Sequence, residues 1–286
     1  MKNKLRPWLL LSPMLLIMVI FVLYPIIRTL WYSFYRLKLT EPGRTHFVGL
    51  RNYLEIIQSS AFYQAFLNSA LVLVFVIILG LIISLVTALM LNRQSKLSSF
   101  LTAVAIVPWA LPPIVNGMLW QFIFYPGYGL LNKLLLRWHV LEVPFAWTSN
   151  RWSLMVVAAL VVTWRVVPFC AILLLANLQT IPHELYEAAR VDGSTPWQDF
   201  RLITLPMLLP SLAIVMIQLT MGGLNVFDEI VALAGFRYES QTLLVYNYMN
   251  TFSFLNFGFG SAITYIITIL SGIIGFAYIK SMAQDI

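Results

Sequence analysis

Six stretches of this 286-residue chain, 9–27, 70–91, 100–124, 154–176, 208–227 and 257–278, stay apolar for close to the thickness of a bilayer, and Arg165 is the one charged residue inside any of them. An α-helix needs about 20 apolar residues to cross hydrocarbon, where every backbone N–H and C=O has to find its partner within the segment. The fold class that follows is an all-α integral membrane protein with six transmembrane helices. Composition agrees: 60% of residues are hydrophobic, 14% aromatic and 10% charged, which no ordinary soluble domain shows. The gaps between spans are too short for a second, soluble domain, so 1–286 reads as a single transmembrane domain.

The opening MKNKLRPWLLLSPMLLIMVIFVLYP has the basic start and apolar middle of a signal peptide, but no small-x-small cleavage site follows and the apolar run is long. It reads as a retained first span, with a cleaved signal as the alternative. Six spans place both termini on one side. Lys2, Lys4, Arg6, Arg93, Lys96, Arg190, Arg201 and Lys280 crowd the short gaps there, whereas the opposite side spreads its cations over longer loops. The denser side is cytoplasmic by the positive-inside rule. Trp8, Trp31, Tyr32, Trp147 and Trp152 fall near expected span ends, where amphipathic rings prefer the headgroup layer. The formal charge of +7 is scattered and forms no stripe or arm, so nucleic acid is not an expected partner. The lone cysteine, Cys170, reads as a packing residue. Residues 47–69, FVGLRNYLEIIQSSAFYQAFLNS, read as an amphipathic helix lying at the surface before the second span.

Between the fourth and fifth spans the chain turns polar, with ELYEAARVDG at 184–193. Thr180 can cap a short helix there, Pro182 suits its opening turn, and Gly193 can end it in a left-handed turn. Thr195, Pro196 and Gln198 have the order of a capping box for a second short helix, which Pro206 is expected to stop before the fifth span. Glu184, Glu187 and Arg190 recur every three residues and share a face. Ala188 and Ala189 beside them form a small-residue surface that another protein can approach closely. A solvated interfacial helix is the plain alternative.

Glu187-Ala188-Ala189, three residues, Gly193, nine residues, then Ile203-x-Leu205-Pro206 resembles the EAA loop in membrane subunits of binding-protein-dependent ABC importers. Phe47-Val48-Gly49-Leu50, Val107-Pro108 and Phe227-Asp228-Glu229-Ile230 are similar to the carbohydrate-uptake branch, in its maltose-type first permease subunit. The chain departs from that pattern after Ala234, with Gly235-Phe236-Arg237 in place of a Gly-Gly-Pro run. The resemblance implies a type I ABC importer fold in a bacterial inner membrane and a coupling loop over 181–206. Glu184, Glu187, Ala188, Ala189, Arg190, Asp192, Gly193, Ile203, Leu205 and Pro206 would engage a cytoplasmic ATPase, Glu187 pairing with a basic residue on it. It also implies a second homologous permease, two ATPase subunits that hold ATP and Mg, an extracytoplasmic solute-binding protein, and a sugar, oligosaccharide or sugar derivative as cargo.

Nothing in the sequence supplies energy from this chain itself. It contains no G-x-x-x-x-G-K-[ST] phosphate loop, and His46, His139 and His183 have no metal-ligand spacing. The chain therefore reads as a pore subunit without enzyme activity, cofactor or metal of its own. An importer permease for a non-sugar solute such as a polyol phosphate is one alternative. An ion-coupled secondary transporter is another, although such proteins place several ionisable groups at depth.

Trp109, Pro113, Asn116 and Trp120 on the third span, Thr163, Arg165 and Phe169 on the fourth, and Gln218 and Asn225 on the fifth are the substrate candidates. Sugars are held by aromatic faces together with amides and hydroxyls, and three prolines break the third span's backbone ladder in a way tolerated only against protein or water. Gln218 and Asn225, seven apart, fall two turns along one helix face, where each amide can equally bond the second permease. By resemblance, Trp109 lies beside the sugar, and positions 162, 165, 166 and 169 match sugar-contacting positions. Val162 and Val166 stand where maltose carriers have Asn or Gly. Arg165 has two readings: a structural ion pair or hydrogen bond to carbonyls near Pro168, or a cavity-facing fork for an anionic group on the substrate.

Overall fold

The computed structural model describes residues 6–92 and 98–283, so Lys2, Lys4, Arg93 and Lys96 lie outside the described residues. In chain order, Arg6–Met18 (α1) passes through a π-helical turn, Val19–Leu23, into Tyr24–Ser33 (α2). A two-stranded antiparallel ribbon, Tyr35–Arg36 (β1) with His46–Phe47 (β2), leads to Arg51–Gln58 (α3) and Ser60–Leu91 (α4). Ser98–Ala105 (α5), a 3-10 turn Val107–Ala110 and Pro113–Phe124 (α6) form the third apolar stretch, and Leu130–Arg137 (α7) precedes Arg151–Leu178 (α8). His183–Val191 (α9) and Pro196–Asp199 (α10) are followed by a π-helical turn, Phe200–Thr204, and Leu205–Leu224 (α11). Asp228–Ala234 (α12), Leu243–Tyr248 (α13), a third π-helical turn, Met249–Ser253, and Phe257–Ala283 (α14) complete the described chain. Among the described residues, five helical runs are long and apolar enough to cross a membrane, and a bent pair in the third stretch is the sixth candidate.

Besides shifts at other span ends, three places along the chain set the course of the spans. The expected surface helix over 47–69 breaks at Ser59, which is extended (φ −81°, ψ 121°) and accepts a hydrogen bond from the Phe62 N–H (3.3 Å). Ser59 thereby acts as an N-cap, and the second span starts at Ser60 instead of 70. The third span, expected over 100–124 with its backbone ladder broken by prolines, bends by 97° between Phe100–Ala110 and Pro113–Phe124. Each residue before a proline is pushed out of the helical region, and here Leu111 (ψ 134°) and Pro112 (ψ 139°) are consecutively extended. Third, Pro206 does not stop the second hairpin helix, and the fifth span ends at Leu224 instead of 227. The π-turn at Phe200–Thr204 closes with Leu205 N–H on Phe200 O, so Pro206 sits in the opening turn of α11, where its missing donor costs least.

The chain folds as two compact units, Met1–Tyr63 with Tyr246–Leu270, and Gln64–Val245 with Ser271–Ile286. In the first, Asn52 Nδ2 donates to the carbonyls of Ser33 (2.7 Å) and Tyr35 (3.0 Å), and Tyr53 OH donates to Ser33 Oγ (2.7 Å), which fixes α3 to the end of α2. Leu39 N–H on Leu255 O and Gly258 N–H on Leu37 O join the loop to the start of α14. The span Leu10–Ser33 has 0% of its most apolar window buried.

The second unit is organised by α8, with 61% of its most apolar window buried against 22% in α4. It packs on α11, on α6 and on α12. Small residues set these distances, as membrane helices gain mainly from close van der Waals packing. An added Cβ at Gly117 of α6 would come within 2.6 Å of Ala232 Cβ and 3.0 Å of Glu229 Cα, both on α12. Gly223 of α11 likewise leaves no room between itself and the Leu73 backbone of α4 (2.9 Å). Gly117→Val is therefore expected to cost about 1–3 kcal/mol by overpacking. The thermal midpoint of the purified protein should fall well below that of Gly275→Val, where nothing lies within 4 Å.

Candidate functional site

The polar hairpin is built as two short helices whose ends are tightly specified. α9 closes with Gly193 at φ +83°, with its N–H on Arg190 O (3.1 Å) and the Ser194 N–H on Ala189 O (2.9 Å). This pair of bonds is the Schellman arrangement, which favours glycine because a Cβ is strained at positive φ. The expected capping box is present: Thr195 N–H donates to Gln198 Oε1 (2.7 Å), and Gln198 N–H reaches Thr195 Oγ1 (3.4 Å). Tyr186 OH and Thr204 Oγ1, 2.9 Å apart, tie α9 to the second arm. The expectation for Thr180 is corrected, since its hydroxyl donates back to Asn177 O (2.8 Å) at the end of α8 and Pro182 occupies the N-cap position of α9.

Most of the hairpin faces outward. Glu184, Glu187, Ala188, Arg190, Asp192, Gly193 and Pro206 are exposed, while Ala189, Ile203 and Leu205 are half-buried. Large apolar side chains are exposed with them: Val191 (87%), Leu202 (69%), Trp197 (67%) and Leu185 (42%). A polar hairpin outside the hydrocarbon gains nothing by showing these to water, and a patch of apolar groups rimmed by charge is the usual mark of a protein-binding surface. Arg190 also lines a cleft of about 360 Å³ with Asn92, His183 and Tyr186.

The nine substrate candidates do not converge on one pocket. Trp109 stacks on Phe169, with ring centroids 5.2 Å apart and planes at 14°. Trp120 and Thr163 instead line an apolar cavity of about 350 Å³ with Ile83, Pro108 and Trp164. Residues 163 and 165 point to nearly opposite sides of a helix, so this cavity lies across α8 from the face of Arg165 and Phe169. Asn116 Nδ2 donates to Val161 O (3.0 Å), joining α6 to α8, while Asn116 Oδ1 and Thr163 Oγ1 are buried with no hydrogen-bond partner among the described residues. Pro113 begins α6, and Gln218 is half-buried. Asn225 is exposed at the C-cap of α11, its N–H still on Met221 O in the helical pattern, two turns beyond half-buried Gln218. Val162 and Val166 pack toward Gly222 of α11 (3.8 and 3.1 Å from an added Cβ).

Arg165 has a partner that sequence reasoning did not assign. Its Nε donates to Glu229 Oε1 at 3.0 Å, with the Glu229 side chain 3% and that of Arg165 20% exposed. Glu229 lies on α12, after the fifth span. The signal was present in the isolated cation itself, because a guanidinium at membrane depth demands an anion or water, and the nearest acids beyond the fifth span are Asp228 and Glu229. Of the two readings of Arg165, the structural ion pair is the one the geometry holds.

Residues 77–286 match the family described as binding-protein-dependent transport system inner membrane component. The chain is 35% identical over 279 residues to the trehalose/maltose transport system permease protein MalF of Thermococcus litoralis, covering 96% of this chain and 92% of that one. It is 31% identical over 280 residues to the sulfoquinovosyl glycerol transport system permease protein SmoG of Agrobacterium fabrum, covering 97% and 90%. The fold is similar to a crystal structure of a bacterial ABC transporter involved in the import of the acidic polysaccharide alginate, with TM-score 0.84 at 22% identity over 100% of this chain and 98% of that one. With the six apolar stretches, the polar hairpin and these matches in hand, the chain belongs to the inner membrane components of binding-protein-dependent transport systems.

Proposed function

We propose that this chain is the transmembrane subunit of an ATP-driven importer for a sugar, oligosaccharide or sugar derivative. The observation that carries the reading is the hairpin, which exposes Val191, Trp197 and Leu202 together with the carboxylate of Glu187, its first helix closed at Gly193 and its second opened by the Thr195 capping box. That surface suits the cleft of a cytoplasmic ATPase. The named cargoes of the relatives above, trehalose or maltose and sulfoquinovosyl glycerol, support the substrate class. A second homologous permease supplies the other half of the pore, and the unburied first span, Leu10–Ser33, offers it an apolar surface. An extracytoplasmic binding protein delivers the cargo, and the termini lie in the cytoplasm with the hairpin. Two ATPase subunits hold ATP and Mg and perform the hydrolysis.

In this mechanism the ATPase pair closes on ATP, draws the hairpins together and tilts the attached spans so that the cavity opens outward, and hydrolysis reverses the change. A stiff connection between hairpin and span is what transmits the motion. Trp109 and Phe169 offer the aromatic surface for the sugar, while Trp120 and Thr163 belong to the separate cavity behind α8.

The complete transporter, reconstituted in vesicles with its binding protein, should accumulate a labelled sugar only when ATP is supplied inside. Uptake by this chain alone, without an ATPase, overturns the proposal. Glu187→Ala should weaken retention of the ATPase by about 2–5 kcal/mol, the usual cost of truncating one member of a docked charge pair. Transport and stimulated hydrolysis should be lost, and the binding protein's sugar affinity unchanged.

The Arg165–Glu229 pair gives a second test. Arg165→Gln leaves a buried carboxyl uncompensated and should destabilise the subunit by about 3–5 kcal/mol. Adding Glu229→Gln should restore much of the lost thermal midpoint. Uptake defects in Arg165→Gln are then expected for neutral and acidic sugars alike; a defect confined to acidic sugars would instead favour a cavity-facing Arg165.

A further inference from the structure

The first unit carries a cationic cleft that the transport reading does not use. Cross-strand pairing of Arg36 with His46 sets both side chains on one face of the ribbon, and the first turn of α3 adds Arg51. Arg36, Lys38, His46 and Arg51 line a cleft of about 160 Å³ together with Asn52 and Glu55. Glu41 is shared among Arg36 (3.3 Å), Lys38 (3.2 Å) and Arg44 (3.9 Å), and Glu55 is taken by Arg51 (2.8 Å). The hydrogen bond from Lys38, with the nearby charges of Arg36 and Arg44, holds the Glu41 carboxyl below the usual carboxylate range. With both acids ionised, the three fixed cations of the cleft, Arg36, Lys38 and Arg51, meet two carboxylates, and one positive charge remains uncompensated there, with Arg44 adding a further cation beside Glu41.

The surroundings of the cleft identify the layer in which it sits. Leu50, Leu54 and Ile57, at successive positions on one face of α3, are 63%, 58% and 52% exposed, while Asn52 and Ile56 on the other face are buried. Trp31 (56%), Leu39 (55%) and Phe47 (66%) are exposed beside the same ribbon. An amphipathic helix with exposed apolar residues, next to exposed aromatic rings at the end of a span, belongs at the boundary between headgroups and acyl chains. Cations held at that depth face phosphate.

We propose that the Arg36–Lys38–Arg51 cleft binds the phosphate of an anionic lipid headgroup. Arginine and lysine supply charge-assisted donors to the phosphate oxygens, and Leu50, Leu54 and Ile57 lie along the acyl chains. The site is independent of which solute is carried, so it stands or falls separately from the sugar reading.

The test uses the complete transporter, purified and followed by native mass spectrometry with phosphatidylglycerol or phosphatidylcholine added. Phosphatidylglycerol should be retained in preference. Arg36→Gln and Arg51→Gln should each reduce its apparent affinity roughly fivefold, and the pair together more. Arg137→Gln, an exposed cation at the end of α7, should leave it unchanged. Arg36 and Arg51 side chains are 51% and 70% exposed, so their replacement spares the fold, and Lys38→Gln provides an independent variant. Equal retention of phosphatidylglycerol by wild type and all cleft variants overturns the proposal. Failure of excess inorganic phosphate to displace the lipid supports it, whereas full displacement with phosphate bound in its place identifies a free-phosphate site and overturns the lipid assignment.

Discussion

A guanidinium in the middle of a 28-residue apolar helix is costly unless it meets an anion or water, and in the second unit it meets an anion. Arg165 on α8 is answered by Glu229 on α12, and α12 in turn meets α6 through the bare backbone of Gly117. Charge pairing and close packing therefore act on the same short helix. Neither would suffice alone: desolvating the two ions costs several kcal/mol each before their attraction is counted, and α12 is only seven residues long. Asn116 adds a third link by bonding the Val161 carbonyl, so three elements from distant parts of the sequence are held in one register. Specificity of arrangement, more than net stability, is what such a pair contributes here.

At the other end of the same unit the design inverts. The hairpin places charge and large apolar groups outward and spends its hydrogen bonds on its own shape: a Schellman closure at Gly193, a capping box at Thr195, and the Tyr186–Thr204 bond between arms. If the hairpin docks a partner as proposed, this preorganisation leaves little ordering entropy to lose on contact.

What could be read directly from the residues was local. Apolar runs mark the spans because hydrocarbon imposes a length, and Thr195 with Gln198 or Gly193 after α9 declare their roles within four residues. Features that depended on two elements meeting were hidden. Glu229 looks like a loop acid until α12 folds back on α8. Pro206 and the third-span prolines show the same rule from the other side. One proline tucked behind a π-turn leaves a helix continuous, whereas Pro112 and Pro113 in succession break one outright. Which outcome occurs depends on where the missing donors fall relative to the helix start, and composition carries no record of that.

The uninterrupted run from Pro196 to Leu224 has a mechanical meaning. Its 29 residues amount to a rod of roughly 40 Å at about 1.5 Å per residue. One end is the second arm of the polar hairpin and the other finishes just before α12. A tilt of about 10° at the hairpin end sweeps the far tip through roughly 7 Å over such a length, close to the width of a sugar ring. The π-turn carries the helix past Pro206, with Pro210 further along inside α11; in the coupling proposed above, a small rotation at the hairpin would become a displacement of molecular size at the far tip.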